Sequence, residues 1–334
     1  MAVTSKGTAA GLVDWRTVER LTALIPAGPS ASRSARASSV AVLRRSALEA
    51  PAWVARITGL NRAAQQVAET TRVSVVDRAG LVRASTRALR GLMEQVPAPQ
   101  ASEAVRLVGA AEMAGAMSLL ATRLLGQVVP AAGTGVDGGG GREGEASPHL
   151  LLVAPNVLAM RRQLDLDMLD LPAWVCLHEM THAVQLAAAP WLGPYLSDSM
   201  RMVIGAVVGA VYGGPGGGGG ADGTGEQGLR RRPGRAARIA ARAGRGRVLE
   251  GLTNFKERSE VASLAAALTF LEGHAEVVLD DVHPNRMPSV HRLRAVLSRS
   301  RAADAGIGPG PGLGSLLLHR LMGLEAKEAQ YADG

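Results

Sequence analysis

The stretch that decides the fold is residues 171–191, LPAWVCLHEMTHAVQLAAAPW. Asp170 can cap a helix start, Pro172 suits the first turn, and no other Gly or Pro occurs until the last two residues. On a helix that advances about 100° per residue, His178 and His182 lie one turn apart on the same face. The stretch therefore predicts a helix that presents two imidazoles on one side.

The pattern His178-Glu179-x-x-His182 is typical of zinc hydrolases. Two imidazoles at this spacing can occupy adjacent corners of a zinc tetrahedron, with metal–nitrogen bonds of about 2.0–2.1 Å. Glu179 points to the side, where it can take a proton from a zinc-activated water that attacks a carbonyl. The alternative is a chance match, which we expect in on the order of one such chain in a hundred. We therefore predict His178 and His182 as zinc ligands and Glu179 as the general base.

The composition favours helices. The chain has 334 residues, enough for one large domain or two, and 47% of them are hydrophobic while only 3% are aromatic. Ala, Leu, Val and Gly must therefore carry the packing, and few alternating β-branched runs occur. These features predict a mainly α fold with a small β component.

The sequence also suggests a cellular compartment. The single cysteine, Cys176, excludes an intrachain disulfide, fits a reducing environment and is expected to be a small buried residue. The first residues lack the pattern of a signal peptide, and the longest apolar stretch, Met202–Tyr212, is shorter than the roughly 20 residues that span a bilayer. We expect a cytoplasmic protein without a transmembrane segment.

The net charge of +8 comes from one segment. Eight arginines and no acidic residue lie between Arg230 and Arg247, so the rest of the chain is neutral. The tract follows a Gly-rich stretch and contains no aromatic residue that could stack on bases. A solvated insertion is the preferred interpretation, and nucleic-acid binding through Arg230–Arg247 is the less favoured alternative.

The same signals divide the chain into regions. Helices are expected over Asp14–Ile25, over Ser30–Ile57 with a break at Pro51, from Ala79 to Val96 after an Asp77 cap, over Ser102–Val128, Asn156–Leu164 and Ser197–Tyr212, and over Asn254–Asp281. Val73–Val76 and His149–Ala154 are the strand candidates. An ordinary core strand is the preferred interpretation of Leu150–Ala154, and pairing of these residues with an extended substrate is the alternative. The regions are 1–129, N-terminal and helical; 130–148, a Gly-rich loop; 149–212, the strand and zinc helix; 213–247, the Gly- and Arg-rich insertion; and 248–334, helical with the third ligand.

A catalytic zinc site needs a third protein ligand, and the last long helix offers one. Glu272 and Glu276 lie four residues apart on one face, where a pair of like charges is costly unless a cation compensates it. We predict Glu272 as the third ligand and Glu276 as a group that holds a ligand imidazole through its other N–H. His274 points about 200° away from Glu272 and is the alternative third ligand. It is also a candidate oxyanion stabiliser, as are Tyr195 and His283.

These motifs together resemble one family, the largely actinobacterial zincin-like, zinc-dependent metallopeptidases, which are often described as associated with deazaflavin coenzyme biosynthesis. The similarity covers nearly the whole chain. It is carried by Val13-Asp14-Trp15, Val75-Val76-Asp77-Arg78, residues 151–156 (LLVAPN), residues 174–182 (WVCLHEMTH) with Pro190-Trp191-Leu192, and residues 271–276 (LEGHAE). The resemblance implies a zincin-like fold with a gluzincin site, in which His178, His182 and Glu272 bind zinc and Glu179 is the base.

The resulting functional expectation is a zinc metallopeptidase that acts on a peptide or protein substrate. Residues 213–247 look like an insertion relative to the family, and further helical sequence would be expected after Gly334. The alternative function is therefore a catalytically inactive, zinc-stabilised interaction protein that has kept the site.

Overall fold

The computed structural model describes residues 7–129, 148–212 and 255–295. The helices are α1 (Trp15–Thr22), α2 (Arg33–Thr58), α3 (Asn61–Thr70), α4 (Arg78–Glu94), α5 (Glu103–Arg123), α6 (Ala154–Gln163), α7 (Asp170–Ala188), α8 (Leu192–Tyr212) and α9 (Phe255–Asp280). The strands are β1 (Gly7–Thr8), β2 (Arg72–Val76), β3 (Pro97–Ala98), β4 (Gly126–Val129) and β5 (His149–Val153). The prediction of a mainly α fold with a small β component is confirmed.

A three-stranded sheet of order β2-β5-β4 forms the middle layer of the molecule. The central strand β5 is parallel to β2 and antiparallel to β4. Leu150 and Leu152 belong to a core with α2, α3 and α7, whereas Leu151 and Val153 belong to a second core with α4 and α5. Because successive side chains of a strand point to opposite faces, β5 is buried on both sides and is an uninterrupted apolar run.

Short-range signals set most helix boundaries. The side chains of Asp14, Ser32, Asp77 and Ser102 each accept a hydrogen bond from a backbone N–H in the first turn of α1, α2, α4 and α5. Gly59 ends α2 with a φ of 73°, a left-handed conformation that glycine adopts without strain. Of these four residues, Asp77 was predicted as a cap, and the predicted starts of all four helices lie within a few residues of the observed ones.

The predicted break at Pro51 is wrong, because α2 runs continuously through that residue. A proline inside a helix removes one backbone N–H and costs about 3 kcal/mol. Residues on both sides of it, among them Leu43, Ala47 and Val54, are nevertheless buried in the core shared with α7. Packing along the whole length of α2 therefore outweighs the local preference to end the helix.

Two further expectations about elements need correction. The predicted helix Ser102–Val128 ends at Arg123, and its last residues form strand β4 instead, because they pair with β5. Substrate pairing with Leu150–Ala154 is also wrong, since β5 has β2 on one side and β4 on the other. Helix α3, which has no strong start or stop signal, was not predicted.

Several predictions fall outside the described residues. They are the Gly-rich loop (all of 130–148 except residue 148), the insertion 213–247 with its Arg230–Arg247 tract, and residues 248–254 and 296–334 of the last region. The prediction that Cys176 is a small buried residue is confirmed: it is 0% exposed, and its thiol donates to the backbone carbonyl of Leu43 in α2.

Two helices within the described ranges, α5 and the Ser259–Asp280 part of α9, are long and apolar enough to cross a membrane by length and composition. Core helices of soluble proteins pass the same test. Helix α5 contributes Met117 and Ala121 to a buried core, and α9 packs against α7 and α8. The expected absence of a transmembrane segment stays a prediction.

Candidate metal centre

Helix α7 holds the first half of the site in the middle of the protein. Nearly every residue from Asp170 to Gln185 is buried, and the helix packs against α2, α3, α9 and β4. Asp170 does not cap the helix as predicted. It is the first helical residue, and its Oδ2 accepts a hydrogen bond of 2.7 Å from the backbone N–H of Ser289. This contact attaches the start of α7 to the chain that follows α9.

Three side chains from α7 and α9 meet at one point. The Nε2 atoms of His178 and His182 are 3.2 Å apart. The Glu272 carboxylate lies 3.3 Å from the His178 Nε2 through Oε2 and 3.5 Å from the His182 Nε2 through Oε1. In the described part of the chain, these residues are the one group of His, Cys, Asp or Glu with ligand atoms close enough to hold a metal ion.

The spacing of the three donors fits zinc. Four donors placed about 2.0–2.1 Å from a zinc ion at the corners of a tetrahedron lie about 3.3–3.4 Å from one another. The two Nε2 atoms are 3.2 Å apart and each imidazole has one carboxylate oxygen of Glu272 nearby, at 3.3 Å for His178 and 3.5 Å for His182, distances close to that value. Two imidazoles and one carboxylate are also a donor set of catalytic zinc sites, which leave the fourth position open. The donor geometry and chemistry therefore match a zinc centre.

Helix α9 supplies Glu272 rather than His274 to the two imidazoles. His274 lies on another side of α9, where its Nδ1 is 2.8 Å from the Nε2 of Gln185. The predicted oxyanion candidates Tyr195 and His283 make other contacts: the ring of Tyr195 lies 6.1 Å from that of Trp191, and the His283 Nδ1 accepts from the backbone of Asn285. Glu276 follows Glu272 by one turn, and the hydrogen bond that it was predicted to accept from a ligand imidazole stays a prediction.

Glu179 is placed beside the three donors and against strand β4. Its side chain is buried, and the backbone N–H of Val128 donates a hydrogen bond to its carboxylate. A Cβ atom on Gly126 would lie only 2.7 Å from the Cγ of Glu179. Strand β4 thus approaches the glutamate so closely that only glycine fits at position 126.

Burial and close charges shift the pKa values of these groups. Burial lowers the pKa of His182, but its hydrogen bond to Glu272, the charges of Glu272 and Glu179, and its hydrogen bond to Gln185 outweigh burial and raise that pKa to about 9. Burial raises the pKa of Glu272, yet its hydrogen bonds to both imidazoles and their charges hold it well below its ordinary value. Burial raises the pKa of Glu179. The metal-free site therefore holds a proton where a metal cation would bind.

Sequence reasoning missed two residues of this site. Gln185 accepts a hydrogen bond of 2.9 Å at its Oε1 from the Nδ1 of His182. The available signal was a polar residue three positions after His182, on the same face of a largely apolar helix. Gly126 was missed because its strand was expected to be the end of a helix.

The chain belongs to the zincin-like metallopeptidase family, which it matches over residues 13–334. The particular association with deazaflavin coenzyme biosynthesis stays an expectation. No curated protein matches the sequence. Among solved structures, the chain is similar to a protein from Chloroflexus aurantiacus described as "a putative hydrolase with a novel fold". The two are 18% identical, the match covers 94% of this chain and 81% of the other, and the TM-score is 0.49.

Proposed function

We propose that this protein is a zinc-dependent metallopeptidase of the gluzincin type. The observation that carries the proposal is the meeting of His178, His182 and Glu272, whose ligand atoms lie within 4.8 Å of one another, beside the buried carboxylate of Glu179. Membership of the zincin-like metallopeptidase family supports it. In this proposal His178, His182 and Glu272 hold zinc, and Glu179 is the general base.

The proposed roles follow from where the side chains lie. A zinc ion in such a site would supply Lewis acidity, which polarises a carbonyl and lowers the pKa of water to about 7. Glu179 accepts the proton of the attacking water and then delivers it to the leaving amine. The raised pKa of Glu179, caused by burial, brings that carboxylate closer to the range in which it can take and return a proton. The Val128 N–H keeps the carboxylate oriented.

Strand β4 is the proposed place for an extended substrate. Within the described sheet it pairs only with β5, so no neighbouring strand occupies its other edge, although the Val128 N–H is already bonded to Glu179. A peptide can add to such an edge by main-chain hydrogen bonds. Because Gly126 contacts Glu179, a peptide along β4 would pass close to the general base. This assignment replaces the substrate role first expected for β5.

The direct test compares zinc-loaded wild type with Glu179→Gln on a diverse peptide mixture, with cleavage products read by mass spectrometry. We expect the variant to retain near-stoichiometric zinc and to lose cleavage by about 10²–10⁴-fold, because proton transfer by a positioned side chain contributes that much. Glu69→Gln, on the exposed side of α3, is the matched control and should cleave like wild type. Equal cleavage by the Glu179→Gln protein would contradict the assigned role of Glu179.

A zinc-stabilised interaction protein without turnover is the second candidate. One observation favours it: the three donors lie on two helices, α7 and α9, that are far apart in the sequence, so a metal would join them. This function predicts that zinc raises the melting temperature although no peptide in the mixture is cleaved. Cleavage that is lost with Glu179→Gln would reject it.

A further inference from the structure

Gln185 lies between the two helices of the zinc site and uses every hydrogen-bonding group of its amide. It is 8% exposed. Its Oε1 is 2.9 Å from the Nδ1 of His182, and its Nε2 is 2.9 Å from the carbonyl oxygen of Leu271 and 2.8 Å from the Nδ1 of His274. One buried side chain of α7 therefore contacts a donor histidine, the backbone next to Glu272, and His274.

These contacts determine which way the amide points. A backbone carbonyl can only accept hydrogen bonds, so the group of Gln185 that faces the Leu271 carbonyl must be the NH₂. The oxygen then faces His182. Since an amide oxygen can only accept, the Nδ1 of His182 must carry a hydrogen. When the extra proton of the metal-free site leaves, the neutral imidazole keeps its one N–H on Nδ1, so the lone pair lies on Nε2, the atom next to His178 and Glu272.

The same amide determines the tautomer of His274. The second hydrogen of the Gln185 NH₂ points to the Nδ1 of His274, which must accept it. The proton of a neutral His274 therefore lies on Nε2, and this histidine has an N–H to donate on its far side. Gln185 thus gives opposite tautomers to the two histidines that it contacts.

We propose that Gln185 is a positioning residue for the zinc site, which holds His182 with its Nε2 lone pair free for the metal and holds His274 with its Nε2–H free to donate. Its bond to Leu271 also steadies the backbone immediately before Glu272. This inference rests on the proposed zinc site but not on peptidase activity. Partners of this kind are worth about 10–100-fold in metal affinity.

Two substitutions separate this role from simple packing. Gln185→Leu keeps the volume and removes all three hydrogen bonds. Gln185→Glu keeps an oxygen for His182 but places a second acceptor against Leu271 and His274, so the Nδ1 of His274 must become the donor. Gln127→Leu is the matched control, because Gln127 is also buried but contacts Ser85 on the opposite face of the sheet.

The experiment measures zinc affinity by chelator competition and histidine tautomers by long-range ¹⁵N–¹H NMR on the full-length, zinc-loaded protein. In wild type we expect His182 with its hydrogen on Nδ1 and His274 with its hydrogen on Nε2. Gln185→Leu should bind zinc about 10–100-fold more weakly. Gln185→Glu should move the His274 hydrogen to Nδ1, and Gln127→Leu should change neither quantity.

Clear results would overturn the inference. A wild-type His274 with its hydrogen on Nδ1 would do so, and this result does not depend on any variant folding. Zinc affinity in Gln185→Leu equal to that of wild type would also do so. Wild type that binds no zinc would remove the proposed function itself, whereas wild type that binds zinc but tolerates Gln185→Leu would remove only the role of Gln185.

Discussion

At the scale of single residues, Gly126 sets the position of Glu179. A Cβ atom there would lie 2.7 Å from the Cγ and 3.1 Å from the Cδ of Glu179, closer than carbon atoms normally approach. Glu179 is buried, so its side chain has little room in which to move aside. Any side chain at position 126 must therefore displace either the carboxylate or strand β4.

We expect Gly126→Ala to lower peptide cleavage by on the order of 10²-fold, because a shift of about 1 Å in a catalytic group can cost that much. Zinc affinity should stay near the wild-type value, since the atoms nearest to a Cβ at position 126 belong to Glu179 and not to the three donors. Gly115→Ala in α5 is the control, because a Cβ at Gly115 meets nothing within 4 Å. Full activity in Gly126→Ala would show that Glu179 is not held in place by β4.

The charges around His182 predict how zinc binding depends on pH. The pKa of His182 in the metal-free protein is raised to about 9, so at neutral pH zinc must displace a proton from this imidazole. Zinc affinity should rise between pH 6 and pH 8 by up to about tenfold per pH unit. Calorimetry in buffers with different ionisation enthalpies should record the released proton. Affinity that is flat over this range would contradict the raised pKa.

The same pKa shift makes a separate prediction for the stability of the metal-free protein. The folded pKa of His182, about 9, lies above the unfolded value of about 6.5. The stabilisation is therefore complete below about pH 6.5 and is lost as the pH rises towards 9. The melting temperature of the metal-free protein should fall over that window, and His182→Ala should remove this part of the fall.

At the scale of secondary-structure elements, β5 is the strand on which both cores are built. Leu152 is 0% exposed and belongs to the core that includes α7, so truncating it leaves a cavity next to that helix. We expect Leu152→Ala to lower the free energy of unfolding by about 2–5 kcal/mol in chemical denaturation. Leu48→Ala in α2 should cost less than about 0.5 kcal/mol, because Leu48 is 77% exposed. Equal losses would mean that β5 is not central to the core.

At the scale of the whole molecule, the proposed zinc ion would join α7, from the middle of the chain, to α9. A ligand that binds only the folded state stabilises it by about 2.7 kcal/mol at a hundred times its dissociation constant. Stripping zinc with a chelator should therefore lower the melting temperature, and adding zinc back should restore it. The melting temperature of His178→Ala should stay near that of zinc-stripped wild type whether or not zinc is added. A melting temperature that changes neither with chelator nor with added zinc would argue against a metal between these helices.

Much of this organisation could be predicted from the sequence because its signals are local. The helix that carries His178 and His182 follows from one stretch without Gly or Pro after Pro172, and the cap at Asp77 needs only a few neighbouring residues. The pair Glu272 and Glu276 identified α9 as the second half of the site. Each of these inferences depends on spacing along a single helix.

The tertiary structure decided what depends on contacts between distant elements. Residues 126–129 form a strand only because β5 lies beside them, and α2 continues through Pro51 because α7 packs along it. The rotation of α9 against α7 places Glu272, rather than His274, against the two imidazoles. Gln185 gains its partners from the same packing. Local spacing determines which side chains share a face, whereas only the packing of separate elements determines what that face meets.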